Sequence, residues 1–196
     1  MKGDFLIVGL GNPGEAYEES RHNIGFQAIE EIARRYNLTL RKKLFMKGRL
    51  ARGLIEGQKV FLLQPGTYMN LSGDAVVRAM MKESIELDHL LIIVDDIALP
   101  FGQLRLRTHS GSGGHNGLKS VEERLGTNSF ARLRIGVGDR AEGDLASYVL
   151  ASFTPEEQKL VPQTVEWAAD IVKFWLTEGL TSAMNHANTR KGSSQP

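Results

Sequence analysis

The sequence predicts a single α/β domain built on a mixed, twisted sheet flanked by helices. Three observations carry this. Short apolar runs alternate along the chain with stretches of helical period. The run Leu90-Leu91-Ile92-Ile93-Val94 is apolar throughout, as in a strand covered on both faces. Residues 103–107 and 131–138 instead alternate polar with apolar, which fits antiparallel or half-exposed strands and makes the sheet mixed. The 196 residues suit one domain, expected over 1–189, followed by a polar and mobile tail over 190–196.

The elements follow in order. Residues 4–10 read as a buried strand ended by glycines, and 23–36 as a helix with Phe26, Ile29, Ala33 and Tyr36 along one stripe. Residues 50–55 and 59–63 read as two strands joined by the turn Glu56-Gly57-Gln58. A helix over 71–83 precedes the apolar strand 90–94. The Gly/Ser stretch 110–114 leads into a helix over 116–125. Thr154-Pro155-Glu156-Glu157 has the threonine cap, early proline and early acids of a helix start. The helix it opens carries Leu160, Val161, Val165, Ala168, Ile171, Val172 and Trp175 at helical spacing and ends at Gly179, with a short last helix over 181–188.

Composition excludes several chemistries. With no cysteine there is no disulfide, thiolate metal site or cysteine nucleophile. No apolar run approaches a membrane span. Met1-Lys2-Gly3-Asp4-Phe5 lacks the features of a secretion signal, so the expected location is the cytoplasm. The net charge of +1 conceals an asymmetry, with +6 over residues 41–134 and −5 over 135–189. A polarised surface of this kind could meet an anionic partner such as nucleic acid, although charge alone favours plain solvated side chains.

Gly9-Leu10-Gly11-Asn12-Pro13-Gly14 matches the first half of a dinucleotide fingerprint, G-x-G-x-x-G after a strand. The second half fails. The residues that follow are polar, Glu15, Glu18 and Glu19 would repel a pyrophosphate, and no acid-ended strand lies about 20 residues on. Asn12 offers an amide, or merely caps its own turn. None of the five histidines pairs with another at metal-site spacing, and no metal is expected. His22, in a polar loop before a helix start, is the best-placed general base, though a lone histidine is more often structural. Asp95 ends the apolar strand, where α/β sheets build sites, and an aspartate there could hold His22 in a proton-accepting tautomer. The bland reading of Asp95 and Asp96 is a cap or turn. Asn70 and Asn116 sit where loop meets helix; Asn70 could be an N-cap, and backbone N–H groups over 113–119 could hold an oxyanion or phosphate. No G-x-S-x-G elbow supports a serine hydrolase.

Together these segments resemble bacterial peptidyl-tRNA hydrolases, in order and over nearly the whole chain. The likeness rests on Gly9-Leu10-Gly11-Asn12-Pro13-Gly14 with Tyr17 and Ser20-Arg21-His22-Asn23-Ile24-Gly25; on Thr67-Tyr68-Met69-Asn70-Leu71-Ser72-Gly73; on Val94-Asp95-Asp96 before Leu99-Pro100-Phe101-Gly102; and on Ser112-Gly113-Gly114-His115-Asn116-Gly117-Leu118 with Arg132-Leu133-Arg134-Ile135-Gly136. The chain departs from the family pattern at Ser20, usually threonine, at Ala98, often aspartate, and mildly at Gln64-Pro65-Gly66. The resemblance implies hydrolysis of the ester between a peptide and the 3′ ribose of tRNA, without metal or organic cofactor. It implies His22 as general base oriented by Asp95, and Asn12 as the discriminator of N-blocked from free aminoacyl ends. Tyr17, Tyr68, Asn70 and Asn116 are implied contacts to the peptide or tRNA end, and Arg105, Arg107 and Arg134 a grip on the 5′ phosphate. The implied partner is the acceptor end of peptidyl-tRNA, met by a monomer. The competing readings are a non-catalytic RNA-binding module and a hydrolase of another ester or amide on the same scaffold.

Overall fold

The strand Phe5–Gly9 (β1) is buried along its whole length. Such a run has no face to give to water and takes the middle of a sheet. The structure, a computed structural model, describes residues 3–138 and 144–189. The remaining strands are Arg41–Lys43 (β2), Gly48–Ile55 (β3), Gln58–Pro65 (β4), Leu90–Asp96 (β5), Leu104–Arg107 (β6) and Ala131–Gly136 (β7). The helices are Ile24–Arg35 (α1), Ser72–Glu83 (α2), Asn116–Leu125 (α3), Leu145–Leu150 (α4), Pro155–Glu178 (α5) and Leu180–Thr189 (α6). They form one mixed α/β domain on a seven-stranded sheet of order β2-β3-β4-β1-β5-β7-β6. The central strands β4, β1, β5 and β7 are parallel, and β2, β3 and β6 pair antiparallel at the two edges.

Alternate residues of the strands feed two cores. Phe5, Ile7, Leu91, Ile93, Leu133 and Ile135 pack against α1, α5 and α6. Leu6, Val8, Ile92 and Val94 pack against α2 and α3 on the other face. The chain leaves β1 for β4 on one side and then crosses to β5 on the other. The carboxyl end of β1 is therefore a topological switch point, the place where an open α/β sheet leaves a crevice.

Several expectations shift in detail. The stripe of α1 buries Ile24, Ala28, Ile29, Ile32 and Ala33, so Phe26 and Tyr36 lie at its margins. Leu160 is exposed because the first turns of α5 project beyond the core. Leu71 belongs to a one-turn 3-10 helix, Met69–Leu71, and α2 starts at Ser72. β2 and α4 are additional: β2 is three exposed basic residues with no apolar pattern, and α4 is a single short helix. The tail 190–196 lies outside the described residues.

Candidate active site

The glycine loop has a packing reason. A Cβ on Gly9 would run into the Gly25 carbonyl, and one on Gly25 into the carbonyls of Leu10 and Ile93. Two glycines thus let the first turn of α1 lie against the ends of β1 and β5. This close approach brings the segment before α1 over the carboxyl edge of the sheet.

That segment carries His22, on a 3-10 turn at Arg21–Asn23, and each neighbour ties it down. The Asn23 side chain accepts from the Asn12 amide (2.8 Å) and donates to the Asn12 carbonyl (2.9 Å). Arg21 donates to the Ser152 carbonyl (2.6 Å) and to Glu157 Oε2 (2.6 Å), with its guanidinium over the Tyr148 ring. Glu157 also completes the capping box with Thr154 that opens α5. The cap predicted from sequence therefore also clamps the loop of His22.

His22 Nδ1 lies 2.8 Å from Asp95 Oδ1 at the end of β5. The same oxygen meets His115 Nε2 at 3.0 Å. His115 caps α3: its Nδ1 accepts from the Gly117 and Leu118 amides at 3.1 and 3.2 Å. An imidazole whose Nδ1 accepts carries its proton on Nε2, so His115 donates to Asp95. Burial would raise the Asp95 carboxyl, but His115 and His22 together hold it well below the usual carboxylate range. As an anion it accepts from both rings. The His22 proton then sits on Nδ1, and Nε2 is left with a free lone pair.

His22, Asp95 and His115 lie close enough, within 4.8 Å, to be considered as a metal set. Sequence spacing could not reveal this, since the residues come from three distant segments. The hydrogen bonding argues against that use: His115 Nε2 carries a proton and Nδ1 is occupied by two amides, so His115 has no lone pair to give.

These groups open onto a cleft of about 470 Å³. Asn12, Tyr68, Asn70 and Asn116 also line it, and Val149 and Leu150 of α4 form an apolar wall. Asn12 Oδ1 accepts from the Met69 amide (2.8 Å), which fixes its orientation and leaves Nδ2 as a donor. The site thus offers a base, a fixed anion and converging amides, a set suited to hydrolysing an acyl bond.

A family model described as peptidyl-tRNA hydrolase matches residues 6–195. The chain belongs to the peptidyl-tRNA hydrolase family. It is 49% identical to the peptidyl-tRNA hydrolase of Chloroflexus aggregans over 188 residues, covering 94% of this chain and 98% of the relative. It is 44% identical to that of Clostridium acetobutylicum, covering 95% and 99%. The crystal structure of the Acinetobacter baumannii peptidyl-tRNA hydrolase superposes with a TM-score of 0.91 at 38% identity, covering 97% of each chain.

The structure brings most of the residues singled out for this family into one cleft. His22, Asp95, Asn12, Tyr68, Asn70, Asn116 and Arg134 all line it. Tyr17 does not; it lies half-buried on a neighbouring one-turn helix. Arg105 and Arg107 stand exposed on the edge strand β6, also outside the cleft. Arg134 is already engaged by Asp96 (3.2 Å) and the Gly111 carbonyl (2.8 Å). Asp96 also accepts from the Ala98 amide, so for it the turn reading holds. The amides of Gly117 and Leu118 are spent on His115, which corrects their reading as oxyanion donors. Asn70 sits inside a 3-10 turn with an exposed side chain rather than capping α2. Sequence reasoning gave no role to His115 or Asn23. For His115 a signal existed, a polar residue directly before a helix start after Gly113-Gly114, where N-caps sit.

Proposed function

We propose that this chain cleaves the ester joining a peptide, or an N-blocked amino acid, to the 3′ ribose of tRNA, with His22 as the base. Membership of the peptidyl-tRNA hydrolase family supports the substrate. The observation that carries the mechanism is the His22–Asp95–His115 hydrogen-bonded set, which leaves His22 Nε2 as a proton acceptor at the cleft. In this reading Nε2 takes a proton from water as the water oxygen attacks the ester carbonyl. The C–O bond to the ribose then breaks, and the 3′ oxygen recovers that proton from Nε2. Asp95 stabilises the imidazolium between the two steps. His115 is a positioning residue that locks the carboxylate. Donors such as Asn12 Nδ2, Asn70 and Asn116 are available for the substrate carbonyls.

Asn12 gives a physical basis for selectivity. Its Nδ2 is a donor, which suits the acyl carbonyl of an N-blocked residue and opposes the ammonium of a free aminoacyl end. Tyr68, with 61% of its surface exposed at the rim, offers a ring on which a terminal base could stack. Arg105 and Arg107, neither paired among the described residues, provide cations for the acceptor-end phosphates beyond the cleft. No helix among the described residues is long and apolar enough to cross a membrane. We take the working form to be a cytoplasmic monomer.

The test is release of N-acetyl amino acid from N-acetyl-aminoacyl-tRNA, with the unacetylated substrate, EDTA and His22→Ala as controls. Expected is cleavage of the blocked substrate alone, unaffected by EDTA. The substitution should lower kcat by about 10²–10⁴-fold, the usual contribution of a general base. His22→Ala retaining more than about a tenth of kcat would remove His22 as the base.

A further inference from the structure

A second cleft, of about 720 Å³, opens on the far side of Asn12. It lies at the same carboxyl edge of the sheet, beside β4 and the β2–β3 turn. Asn12 lines both clefts, so the two meet at the residue that faces the N-blocked end of the aminoacyl group in the proposed reading.

The far cleft carries polar atoms in want of partners. Gln64 is 1% exposed, and its Nε2 donates to the Phe26 carbonyl (3.0 Å) and Glu30 Oε1 (3.1 Å). That orientation leaves Gln64 Oε1 buried without a partner among the described residues, and Thr67 Oγ1 is likewise unpartnered there. A buried polar atom without a partner is costly; Gln64 Oε1 can only accept and the Thr67 hydroxyl can donate or accept, so the pair beside one cleft points to an occupant that brings an N–H group and a second polar group. Among the lining charges Lys47 pairs with Asp74 and Arg49 with Glu30, whereas Lys42 and Lys43 have no partner among the described residues and together outweigh the one remaining acid, Glu18.

We propose that this cleft holds the upstream residues of the peptide carried by peptidyl-tRNA, and that it favours acidic side chains there. The inference rests on the proposed hydrolase reading. A substrate whose ester lies at His22 has two ends that must leave in different directions. The sheet order sets Arg105 and Arg107 of β6 at one edge and Lys42 and Lys43 of β2 at the other. With the acceptor stem toward the first edge, the peptide passes Asn12 toward the second. A backbone N–H of an extended peptide is the donor that Gln64 Oε1 lacks, which phosphate oxygens do not supply, and a peptide N–H or carbonyl can meet the Thr67 hydroxyl. Lys42 and Lys43 then act on the side chains.

The experiment compares peptidyl-tRNAs with one C-terminal residue and three upstream residues that are all aspartate, all alanine or all lysine, beside N-acetyl-aminoacyl-tRNA. Each is assayed with wild type and with Lys42→Glu/Lys43→Glu, both at exposed positions of β2. Expected in wild type is kcat/KM about fivefold higher for the aspartate chain than for the lysine chain at low salt, fading at high salt as exposed charges are screened. The double substitution should invert the order. Equal rates across the three chains, or a preference the double substitution leaves in place, would overturn the proposal. So would a double substitution that weakens uncharged tRNA and leaves the peptide order untouched, since the cleft would then hold RNA. If wild type fails to cleave even N-acetyl-aminoacyl-tRNA, the hydrolase reading itself falls; if it cleaves that substrate without discriminating upstream residues, only the subsite falls.

Discussion

Asp95→Asn removes one negative charge and almost no volume. Two imidazoles converge on Asp95 Oδ1, at 2.8 and 3.0 Å. Asparagine keeps an oxygen for those bonds but loses the anion. In the proposed reaction a proton reaches His22 Nε2, so a cation develops against this carboxylate. Two unit charges about 4 Å apart attract by about 1 kcal/mol in water and about 4 kcal/mol at an effective dielectric of 20. Asp95 is 3% exposed, so the upper part of that range applies. At 1.36 kcal/mol per factor of ten, kcat should fall by about 10²–10³-fold, with little change in KM. The assay is single-substrate turnover of N-acetyl-aminoacyl-tRNA across pH. A loss under about fivefold would refute the pairing as a catalytic device.

Three further outcomes are expected. The Asp95 carboxyl sits well below the usual range when folded, because His115 and His22 outweigh the burial that would raise it, while an unfolded aspartate titrates near 3.9. Its stabilisation is therefore complete above about pH 4 and lost as pH falls toward the folded value, so urea midpoints below pH 4 should drop more steeply for wild type than for Asp95→Asn; equal slopes would show no proton-linked role. Asn12→Asp keeps an oxygen for the Met69 amide but turns the free donor into an anion that welcomes an ammonium. Its ratio of kcat/KM for blocked over free aminoacyl-tRNA should fall by at least about tenfold, and an unaltered ratio would clear Asn12 of that role. Replacing Arg105 and Arg107 together by Ala should flatten the slope of log affinity for tRNA against log salt by about 1.5, and an unchanged slope would exclude phosphate contacts by both.

The sheet centre was legible because apolar runs such as Leu90–Val94 admit one environment, and the threonine cap of α5 because its chemistry is local. The phase of α1 was harder. Of the stripe Phe26, Ile29, Ala33 and Tyr36, Ile29 and Ala33 reach the core, but Gly25 marks where the helix approaches β1, and that turns Ile24, Ala28 and Ile32 inward and leaves Phe26 and Tyr36 at the margins. β2 was invisible for a related reason: Arg41-Lys42-Lys43 has no hydrophobic pattern and becomes a strand only through pairing with β3. Tertiary pairing overrides a sequence with weak β-propensity at an edge.

The site divides along the same line. His22 and Asp95 were separately suspect, one by its loop and the other by ending a strand, but 73 positions separate them. Only the adjacency of β1 and β5 makes the loop after one strand a neighbour of the other's carboxyl end, where Asp95 is the penultimate residue. His115 enters the site through α3, whose start its own side chain caps, so one residue ends a loop, begins a helix and fixes a carboxylate. The same geometry limits substitution. Replacing His115 by a residue that caps α3 equally well, such as aspartate, would preserve the helix while setting a second carboxylate against Asp95. A helix cap can be exchanged for another, but a donor to Asp95 cannot, so the histidine answers to the site as well as to the helix.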